Sequence, residues 1–381
     1  MTDVAIVGLG LHPFGRTPGV SGRRQGLYAA RAALADAGAD WSDMQFGFGG
    51  SRDAGNADSL VAELGLTGVP FTNVYNGCAT GGTSLALAVD CIRAGRADVG
   101  LVVGFDAHPP GAFDPDPTAY GLGPWYGETG LMLTTQFFAL KIQRYMHAYD
   151  IRPETLATVA AKAFANGAAN PNAWRRTPLT PKEILASTMV SHPLTKYMFC
   201  TPGEGGAALV LCRADLAHHY TSRPVLLRAA ELRSRRYGSF EVFSPWLSVE
   251  GGDSVSSDAA SAAFAVAGIG PEDIGIAELQ DTDAGAEIMH MAEVGLCAHG
   301  DQEKLIHDGA TSIGGSLPVN TDGGCIANGE PIGASGLRQV YEVALQLRGD
   351  GGSRQIPTRP KTGFTHVYGA PGISVCTVLT V

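Results

Sequence analysis

The chain contains a weak internal duplication, and this repeat restricts the fold more than any other feature of the sequence. Residues 31–38 (RAALADAG) match residues 261–268 (SAAFAVAG), and an aspartate, Asp43 or Asp273, follows each copy at the same spacing. Each copy predicts a helix, a glycine that ends it, a short loop and a strand. A second matching pair, in the same order, consists of two helical patterns that each lie between glycines. The repeat therefore indicates two halves of the same architecture.

Each half alternates strand patterns with helix patterns, which is typical of a mostly parallel sheet covered on both faces. Two such halves packed together predict an α/β fold of five layers, α/β/α/β/α. We assign residues 1–108 and 200–222 to the first half and residues 223–381 to the second. The chain is long enough to bury a core in both halves.

Residues 109–199 form a long excursion between the halves, with helix patterns near 130–149 and 153–170. Connections of this length are uncommon in compact domains unless they are functional, which favours a lid or a substrate-binding insertion. A structural or dimer-supporting arm is the alternative. The aromatic residues of the excursion either line a large hydrophobic pocket or pack a dimer surface. They include Phe113, Tyr120, Trp125, Tyr126, Phe137 and Phe138.

Composition excludes several classes of function. The net charge is −10 and no extended basic run is present, which argues against nucleic acid as a partner. No window reaches the roughly 18 uninterrupted apolar residues that a membrane span needs. The seven cysteines form no C-x-x-C pair, which favours a reducing compartment over disulfides or zinc. We therefore expect a soluble, cytoplasmic protein with no metal site.

Cys78 lies in a turn of small residues, 76–82 (NGCATGG), between an extended run and a helical pattern at 83–93. A thiolate at the start of a helix faces unpaired backbone N–H groups and the positive end of the helix dipole, and both lower the pKa of a thiol. Cys78 is therefore a candidate nucleophile. An inert buried cysteine is the alternative.

Three glycine-containing segments of the second half lie at strand-to-helix or loop-to-strand edges, where α/β proteins bind ligands. They are residues 278–285 (ELQDTDAG), 320–336 (NTDGGCIANGEPIGASG) and 366–372 (HVYGAPG). We expect them to converge on Cys78. The candidate catalytic side chains that they carry are Asp281, Asp283, Glu330, His366 and Tyr368, and the candidate backbone donors to an oxyanion are Gly369 and Gly372.

Each of these side chains also has a structural interpretation. Asp281 and Asp283 fit helix N-caps, because an aspartate before a helix accepts bonds from its first N–H groups. Glu330 fits a solvated loop acid. His366 and Tyr368 fit wall residues of a core.

With these segments assembled, the chain resembles the thiolase superfamily over nearly its full length, and the sterol-carrier-type thiolases and bacterial lipid-transfer proteins most closely. The resemblance rests on the Cys78 turn and on residues 95–104, 319–336 and 369–372. It implies the duplicated five-layer fold, a homodimer, an acyl-coenzyme A substrate and an acylated Cys78. Coenzyme A enters as part of the substrate, so we expect no tightly bound cofactor.

Three departures from the family pattern argue against ordinary thiolysis. The Gly-His-Pro loop of the family reads 329–331 (GEP) here, with an acid in place of the histidine. The Asn-Glu-Ala-Phe or His-Asp-Cys-Phe loop reads 280–283 (QDTD), and the C-terminal Cys-x-Gly reads 367–369 (VYG). Both family sources of the second, proton-shuttling cysteine are therefore missing.

Retro-aldol cleavage of a 3-hydroxyacyl-CoA avoids this difficulty. It needs a base for the hydroxyl proton and donors that stabilise the thioester enolate, but no acyl-enzyme. The resemblance includes aldol-lyases of steroid side-chain breakdown that work with a small coenzyme-A-binding partner protein. The leading hypothesis is therefore cleavage of a bulky, steroid-type 3-hydroxyacyl-CoA, with the base left open among the five candidate side chains.

Two alternatives remain. The chain is either a Cys78-dependent thiolase or acyltransferase acting on a 3-oxoacyl-CoA, or a non-catalytic subunit that binds acyl-CoA or lipid. No compact basic site for the phosphates of coenzyme A is evident. Scattered candidates for that contact are Lys141, Arg144, Arg175 and Arg176.

Overall fold

A computed structural model describes residues 3–131, 133–236, 254–370 and 372–381. Within these ranges the strands are β1 (Val4–Gly15), β2 (Gly47–Gly50), β3 (Phe71–Asn73), β4 (Val99–Ala107), β5 (Met189–Ser191), β6 (Leu194–Thr195), β7 (Glu204–Arg213), β8 (Val225–Ser234), β9 (Ala277–Leu279), β10 (Thr362–Gly369) and β11 (Ile373–Thr380). The α-helices are α1 (Gly22–Ala37), α2 (Val61–Leu64), α3 (Thr80–Arg93), α4 (Trp125–Glu128), α5 (Thr134–Tyr149), α6 (Pro153–Ala169), α7 (Pro181–Leu185), α8 (Val255–Ala267), α9 (Ala284–Glu293), α10 (Gln302–His307), α11 (Gly324–Asn328) and α12 (Ser335–Arg348).

The main sheet has the strand order β3-β2-β4-β7-β1-β8-β11-β10-β9 in the described residues. Strand β1 pairs with β7 on one side and with the start of β8 on the other, so the two halves share one hydrogen-bonded sheet. Only β2/β3, β2/β4 and β9/β10 pair in parallel among the described strands. The prediction of a mostly parallel sheet is therefore wrong. Antiparallel neighbours need no helical crossover, and β10 and β11 are joined by a short turn.

The two halves of this sheet form two β-layers. Helices lie on the outer side of each layer and between the two, which gives five layers. Helix α1 packs on the side of β4 that carries Leu101 and Val103, and α8 packs on the corresponding face of the second half. Helices α3 and α12 lie between the halves and share one core with Val102 of β4. They approach closely, since a Cβ on Gly336 would lie 2.8 Å from the backbone nitrogen of Gly82. The predicted five-layer α/β/α/β/α fold is confirmed.

The duplication is visible in the details of the first matching pair. Helices α1 and α8 both end at a left-handed glycine, Gly38 (φ 61°) or Gly268 (φ 70°). In the following turns, Asp43 and Asp273 each accept a hydrogen bond from the backbone N–H three residues earlier, at 2.9 and 3.0 Å. The matching aspartates therefore hold equivalent turns in the two halves.

Several element bounds agree closely with the sequence patterns. The two long helices of the excursion, α5 and α6, fall at the predicted positions, whereas α3 begins at Thr80, three residues earlier than predicted. Cys78 therefore lies two residues before α3, next to the N-cap residue Ala79. None of the helices in the described ranges is long and apolar enough to cross a membrane.

The excursion packs on the second half of the molecule. Helices α5 and α6 share an apolar core with α9 and α11, and Phe138 and Phe199 of the excursion meet Tyr368 of β10 in that core. At the surface, Trp125 and Tyr120 are 54% and 40% exposed. The aromatic residues of the excursion thus divide between a buried cluster beside β10 and the protein surface.

Candidate active site

Cys78 contacts Glu330, the acid of the 329–331 loop. Cys78 is half-buried, and its thiol donates a hydrogen bond to the Glu330 carboxylate. Burial raises the pKa of the thiol well above its ordinary value, the charge and hydrogen bond of Glu330 raise it further, and Arg52 acts in the opposite direction. The prediction that the start of α3 lowers this pKa is therefore wrong, because desolvation and a neighbouring acid outweigh the helix terminus.

Glu330 is fully buried, so its interpretation as a solvated loop acid is also wrong. The side-chain nitrogen of Gln280 donates to both carboxylate oxygens of Glu330, each at 3.1 Å. The backbone N–H of Glu330 donates to the Thr201 carbonyl at 2.9 Å. The 280–283 segment and the 329–331 loop therefore meet at Glu330, which in turn acts on the thiol of Cys78.

Two residues at the carboxyl end of β4 anchor the loop that carries Glu330. The N–H of Gly333 donates to Asp106 at 2.7 Å, and the N–H of Ile332 donates to Nε2 of His108 at 3.0 Å. Because Nε2 accepts, Nδ1 of His108 carries the proton and donates to Asp53 at 2.5 Å, and this bond lowers the pKa of Asp53. Asp106 and His108 are not among the residues predicted from the sequence. Both lie at the carboxyl end of a strand, where α/β proteins bind ligands, so the same principle could have identified them.

The turn of Cys78 and the turn after β10 are in backbone contact. A Cβ on Gly369 would lie 2.6 Å from both the Ala79 nitrogen and the Asn76 oxygen, and a Cβ on Gly77 would lie 2.4 Å from the Ala370 oxygen. Only glycine fits at either position. The C-terminal segment therefore reaches Cys78, and Tyr368 precedes the contact residue by one position.

Gly372 does not offer the oxyanion donor that the sequence suggests. Its backbone N–H donates to the Gly369 carbonyl at 2.8 Å, which closes the turn between β10 and β11. The N–H group of Gly372 is therefore already hydrogen-bonded within the turn and does not face an oxyanion.

Asp281 and Asp283 each accept hydrogen bonds at the start of a helix. Asp281 accepts from the N–H groups of Cys325 and Ile326, at 2.6 and 3.2 Å, at the start of α11. Asp283 accepts from the N–H groups of Gly285 and Ala286 at the start of α9. Burial raises the pKa of Asp281 well above its ordinary value and that of Asp283 to about 7. Asp283 is thus the N-cap of the helix that follows it, as one of its two interpretations predicts, whereas Asp281 instead binds the first turn of a distant helix, α11, whose own N-cap is Gly323.

His366 and Tyr368 lie together on one face of β10. His366 is buried, its Nε2 is 2.9 Å from the hydroxyl of Ser256, and its ring centroid is 4.4 Å from that of His290. Burial, with His290 and Lys141, lowers the pKa of His366 well below its ordinary value. Tyr368 is 2% exposed, and the Lys141 ammonium lies 4.6 Å from its ring centroid. His290 and Lys141 give this face a cluster of titratable groups.

The basic candidates for coenzyme A contact have different surroundings. The ammonium of Lys141 lies over the ring of Tyr368, 4.6 Å from its centroid. Arg175 points inward, where its guanidinium donates to the carbonyls of Ile326 and Phe199 and to the hydroxyl of Thr201. Burial lowers the pKa of Arg175. Arg175 therefore fastens the 199–201 segment to α11.

Two further cysteines lie near Glu330. The charges of Glu330 and Cys78 both act on Cys200, and those of Glu330 and Asp281 act on Cys325. Burial is the main reason that the pKa of each thiol is well above its ordinary value. The sequence does not predict this grouping, because the three cysteines come from distant segments.

Comparison with known proteins agrees with this architecture. Residues 253–380 match the family profile described as thiolase C-terminal domain-like. An acetyl-CoA acetyltransferase of Methanothermobacter thermautotrophicus is 32% identical over 98% of this chain and 97% of its own. Sterol carrier protein 2 of Homo sapiens is 31% identical over 98% of this chain and 71% of its own. The solved structure of an Ltp2-ChsH2(DUF35) aldolase has a TM-score of 0.86 at 27% identity and covers 100% of this chain and 98% of its own.

Proposed function

The chain belongs to the thiolase superfamily, in its sterol-carrier and lipid-transfer branch, and on this premise we propose that it is an aldol-lyase. The proposed reaction splits a bulky 3-hydroxyacyl-CoA into a carbonyl compound and a shorter acyl-CoA. The contact between Cys78 and Glu330 carries this proposal, because burial and the neighbouring acid raise the pKa of the thiol. Thiolysis begins with attack by a thiolate, whereas retro-aldol cleavage needs no covalent intermediate.

We assign the role of base to Tyr368. The carboxylates of Asp281 and Asp283 are occupied by backbone N–H groups, and Glu330 is engaged by Cys78 and Gln280. Tyr368 lies beside the Cys78 turn. In the proposed step its oxygen takes the 3-hydroxyl proton and its own hydroxyl proton passes to carbon 2; the bond between carbons 2 and 3 breaks, its electron pair forms the thioester enolate that this proton neutralises at carbon 2, and carbon 3 becomes a carbonyl, so Tyr368 ends the step as it began.

Aromatic residues of the excursion support a bulky acyl group. The ring centroids of Phe113 and Phe199 are 6.5 Å apart, those of Phe199 and Phe138 are 6.2 Å apart, and those of Phe138 and Tyr368 are 6.4 Å apart. These rings form a continuous apolar wall next to the proposed base. Such a wall suits a steroid-type side chain better than a short acetyl group.

We further propose that the protein assembles with a small coenzyme-A-binding partner and as a homodimer. The similarity to the Ltp2-ChsH2(DUF35) aldolase, which is described by two component names, supports the hetero-oligomer. All seven cysteines are unpaired, which supports a reducing, cytoplasmic location. Light scattering of the chain alone tests the homodimer, and co-purification with a candidate partner tests the hetero-oligomer.

The experiment that tests the reaction is a substrate comparison. The purified chain, with and without its partner, is given a steroid-type 3-hydroxyacyl-CoA in one series and the matching 3-oxoacyl-CoA with free coenzyme A in the other. We expect a carbonyl product in the first series and little turnover in the second. Turnover confined to the second series would refute the aldol-lyase.

A Cys78-dependent thiolase or acyltransferase is the second candidate. Its support is the similarity to an acetyl-CoA acetyltransferase and the position of Cys78 two residues before α3. It requires an acyl adduct on Cys78, which intact-mass measurement after incubation with a 3-oxoacyl-CoA would detect. Tight binding of acyl-CoA without turnover of either substrate would instead favour a non-catalytic subunit.

A further inference from the structure

Two buried glutamines connect helix α12 with the acid that contacts Cys78. Gln280, Gln339 and Glu330 are all fully buried, and Gln339 takes no part in the reaction described above. We propose that Gln280 and Gln339 are positioning residues, which fix the Glu330 carboxylate against Cys78 and thereby keep the thiol from acting as a nucleophile. The inference rests on the proposed aldol-lyase function and adds to it the residues that exclude attack by the thiol.

Gln280 holds the carboxylate of Glu330 directly. It follows β9 in the chain, and its side-chain nitrogen lies 3.1 Å from each of the two carboxylate oxygens of Glu330. A charged carboxylate accepts hydrogen bonds and donates none, so the nitrogen of the Gln280 amide has to face it. In the described residues, the side chains that hydrogen-bond to this carboxylate are Gln280 and Cys78. Loss of Gln280 would therefore leave a buried carboxylate with the thiol as its one side-chain donor.

Gln339 of α12 fixes the direction of the Gln280 amide. Its side-chain nitrogen lies 2.9 Å from the His366 carbonyl oxygen and 3.4 Å from the side-chain oxygen of Gln280. Both of these oxygens accept, so the nitrogen of Gln339 has to face them, because the reverse orientation would place one oxygen against two others. The shorter bond anchors Gln339 to β10. The longer contact holds the Gln280 oxygen, and this leaves the Gln280 nitrogen directed at Glu330.

The backbone of Glu330 is held from another segment. Its N–H donates to the Thr201 carbonyl at 2.9 Å, and its carbonyl accepts from the N–H of Gly203 at 3.3 Å. The position of the main chain is therefore set independently of the side chain. Gln280 then decides where the carboxylate of this fixed residue lies.

Glu330 is the charged group with the largest effect on Cys78. The thiol also interacts with groups from other elements, which are Arg52 of the loop after β2, Asp106 of β4, Tyr75 and Cys200. Glu330 and Asp106 raise the pKa of the thiol, and Arg52 lowers it. Without its donor, the Glu330 carboxylate either turns away or takes up a proton. In both cases its charge no longer faces the thiol, and Cys78 ionises more readily.

The test measures the pH at the midpoint of Cys78 alkylation by iodoacetamide in Gln280→Met and Gln339→Met, with Cys78 followed by peptide mass. Methionine is similar in length to glutamine but donates no hydrogen bond. We expect the midpoint to fall in both variants, toward that of Glu330→Gln. The fall should be larger in Gln280→Met, because this variant loses both direct bonds to Glu330.

Gln346→Met is the matched control. Gln346 is a fully buried glutamine of the same helix, and its side-chain nitrogen donates to Glu342 and to the Arg354 carbonyl, at 3.0 and 2.9 Å. The variant therefore removes comparable hydrogen bonds without touching Glu330. Its alkylation midpoint at Cys78 should equal that of the wild type.

Double variants with Glu330→Gln separate positioning from a looser fold. Once the charge is gone, the glutamines have no carboxylate to position, so adding Gln280→Met or Gln339→Met should not move the midpoint further. A looser fold would raise the alkylation rate at high pH and leave the midpoint in place. An unchanged or higher midpoint in the single variants, or the same shift in the Glu330→Gln background, would overturn the proposal. Either single variant suffices if the other does not fold.

The alkylation experiment involves no substrate, so its outcome is independent of turnover. Failure of the wild type to cleave any 3-hydroxyacyl-CoA would refute the proposed function, whereas a midpoint that ignores Gln280 and Gln339 would refute their positioning role.

Discussion

Replacing Glu330 with glutamine isolates the electrostatic effect that decides how reactive Cys78 is. Glutamine keeps the size of the side chain and can still accept a hydrogen bond from Gln280, but it removes the negative charge next to the sulfur. Since the charge of Glu330 raises the pKa of the Cys78 thiol, we expect this pKa to fall in Glu330→Gln. Burial is the larger cause of the raised value, so the pKa should remain above that of an ordinary cysteine.

The size of the change follows from the contact between the two groups. Two unit charges about 4 Å apart interact by about 4 kcal/mol at an effective dielectric constant of about 20. Because about 1.4 kcal/mol corresponds to one pKa unit, the unscreened limit is about three units. Cys78 is half-buried rather than sealed from solvent, and water screens part of the interaction. We therefore expect the pKa of Cys78 to fall by less than this limit.

The measurement is the pH dependence of alkylation by iodoacetamide, with the modified cysteine identified by peptide mass. Cys78→Ala identifies the signal of this residue, since six other free cysteines are present. Alkylation of Cys78 in Glu330→Gln should reach its midpoint at a lower pH than in the wild type. An unchanged or higher midpoint would show that Glu330 does not control the thiol, and the main argument against thiolysis would be lost.

Three further predictions concern the surroundings of the site. Gly369→Ala should cost about 1–3 kcal/mol of unfolding free energy, because the new Cβ would lie 2.6 Å from the Ala79 nitrogen; urea titration measures it, and Gly314→Ala, where nothing lies within 4 Å, should be neutral. Since burial raises the pKa of Asp283 to about 7, the folded chain keeps a proton that the unfolded chain releases from about pH 4 upward. Wild-type stability should therefore fall relative to Asp283→Asn between about pH 4 and pH 7, and a constant difference would contradict this. Phe138→Ala should raise KM about tenfold for a bulky substrate and hardly at all for a short one, and equal effects on both would argue against the aromatic wall.

Much of the fold could be predicted from the sequence because it depends on local patterns. The repeat ending at Gly38 and Gly268 predicts two equivalent helix-turn-strand units, and the structure contains both with the same capping aspartate. Strand direction could not be predicted in the same way. A buried apolar run has the same pattern in a parallel or an antiparallel pair, and the pairing of β1 with β8 joins residues far apart in sequence.

The meeting of Cys78 with Glu330 could be predicted from the position of their segments at the ends of strands. The pKa of Cys78 could not, because the sequence shows the helix that follows the thiol but not the burial and the acid that face it. The contact of His290 with β10 could not be predicted for a related reason. Within α9 His290 reads as an ordinary helical residue, and only the folded chain places His366 and Tyr368 against its ring.

Turnover of a 3-hydroxyacyl-CoA by Cys78→Ala and Tyr368→Phe, measured side by side with detection of the carbonyl product, tests the central claim most directly. If carbon–carbon cleavage proceeds without a covalent intermediate, Cys78→Ala should keep most of the wild-type kcat, and Tyr368→Phe should lose about 100-fold. Loss of nearly all turnover in Cys78→Ala, with Tyr368→Phe as active as the wild type, would contradict the account.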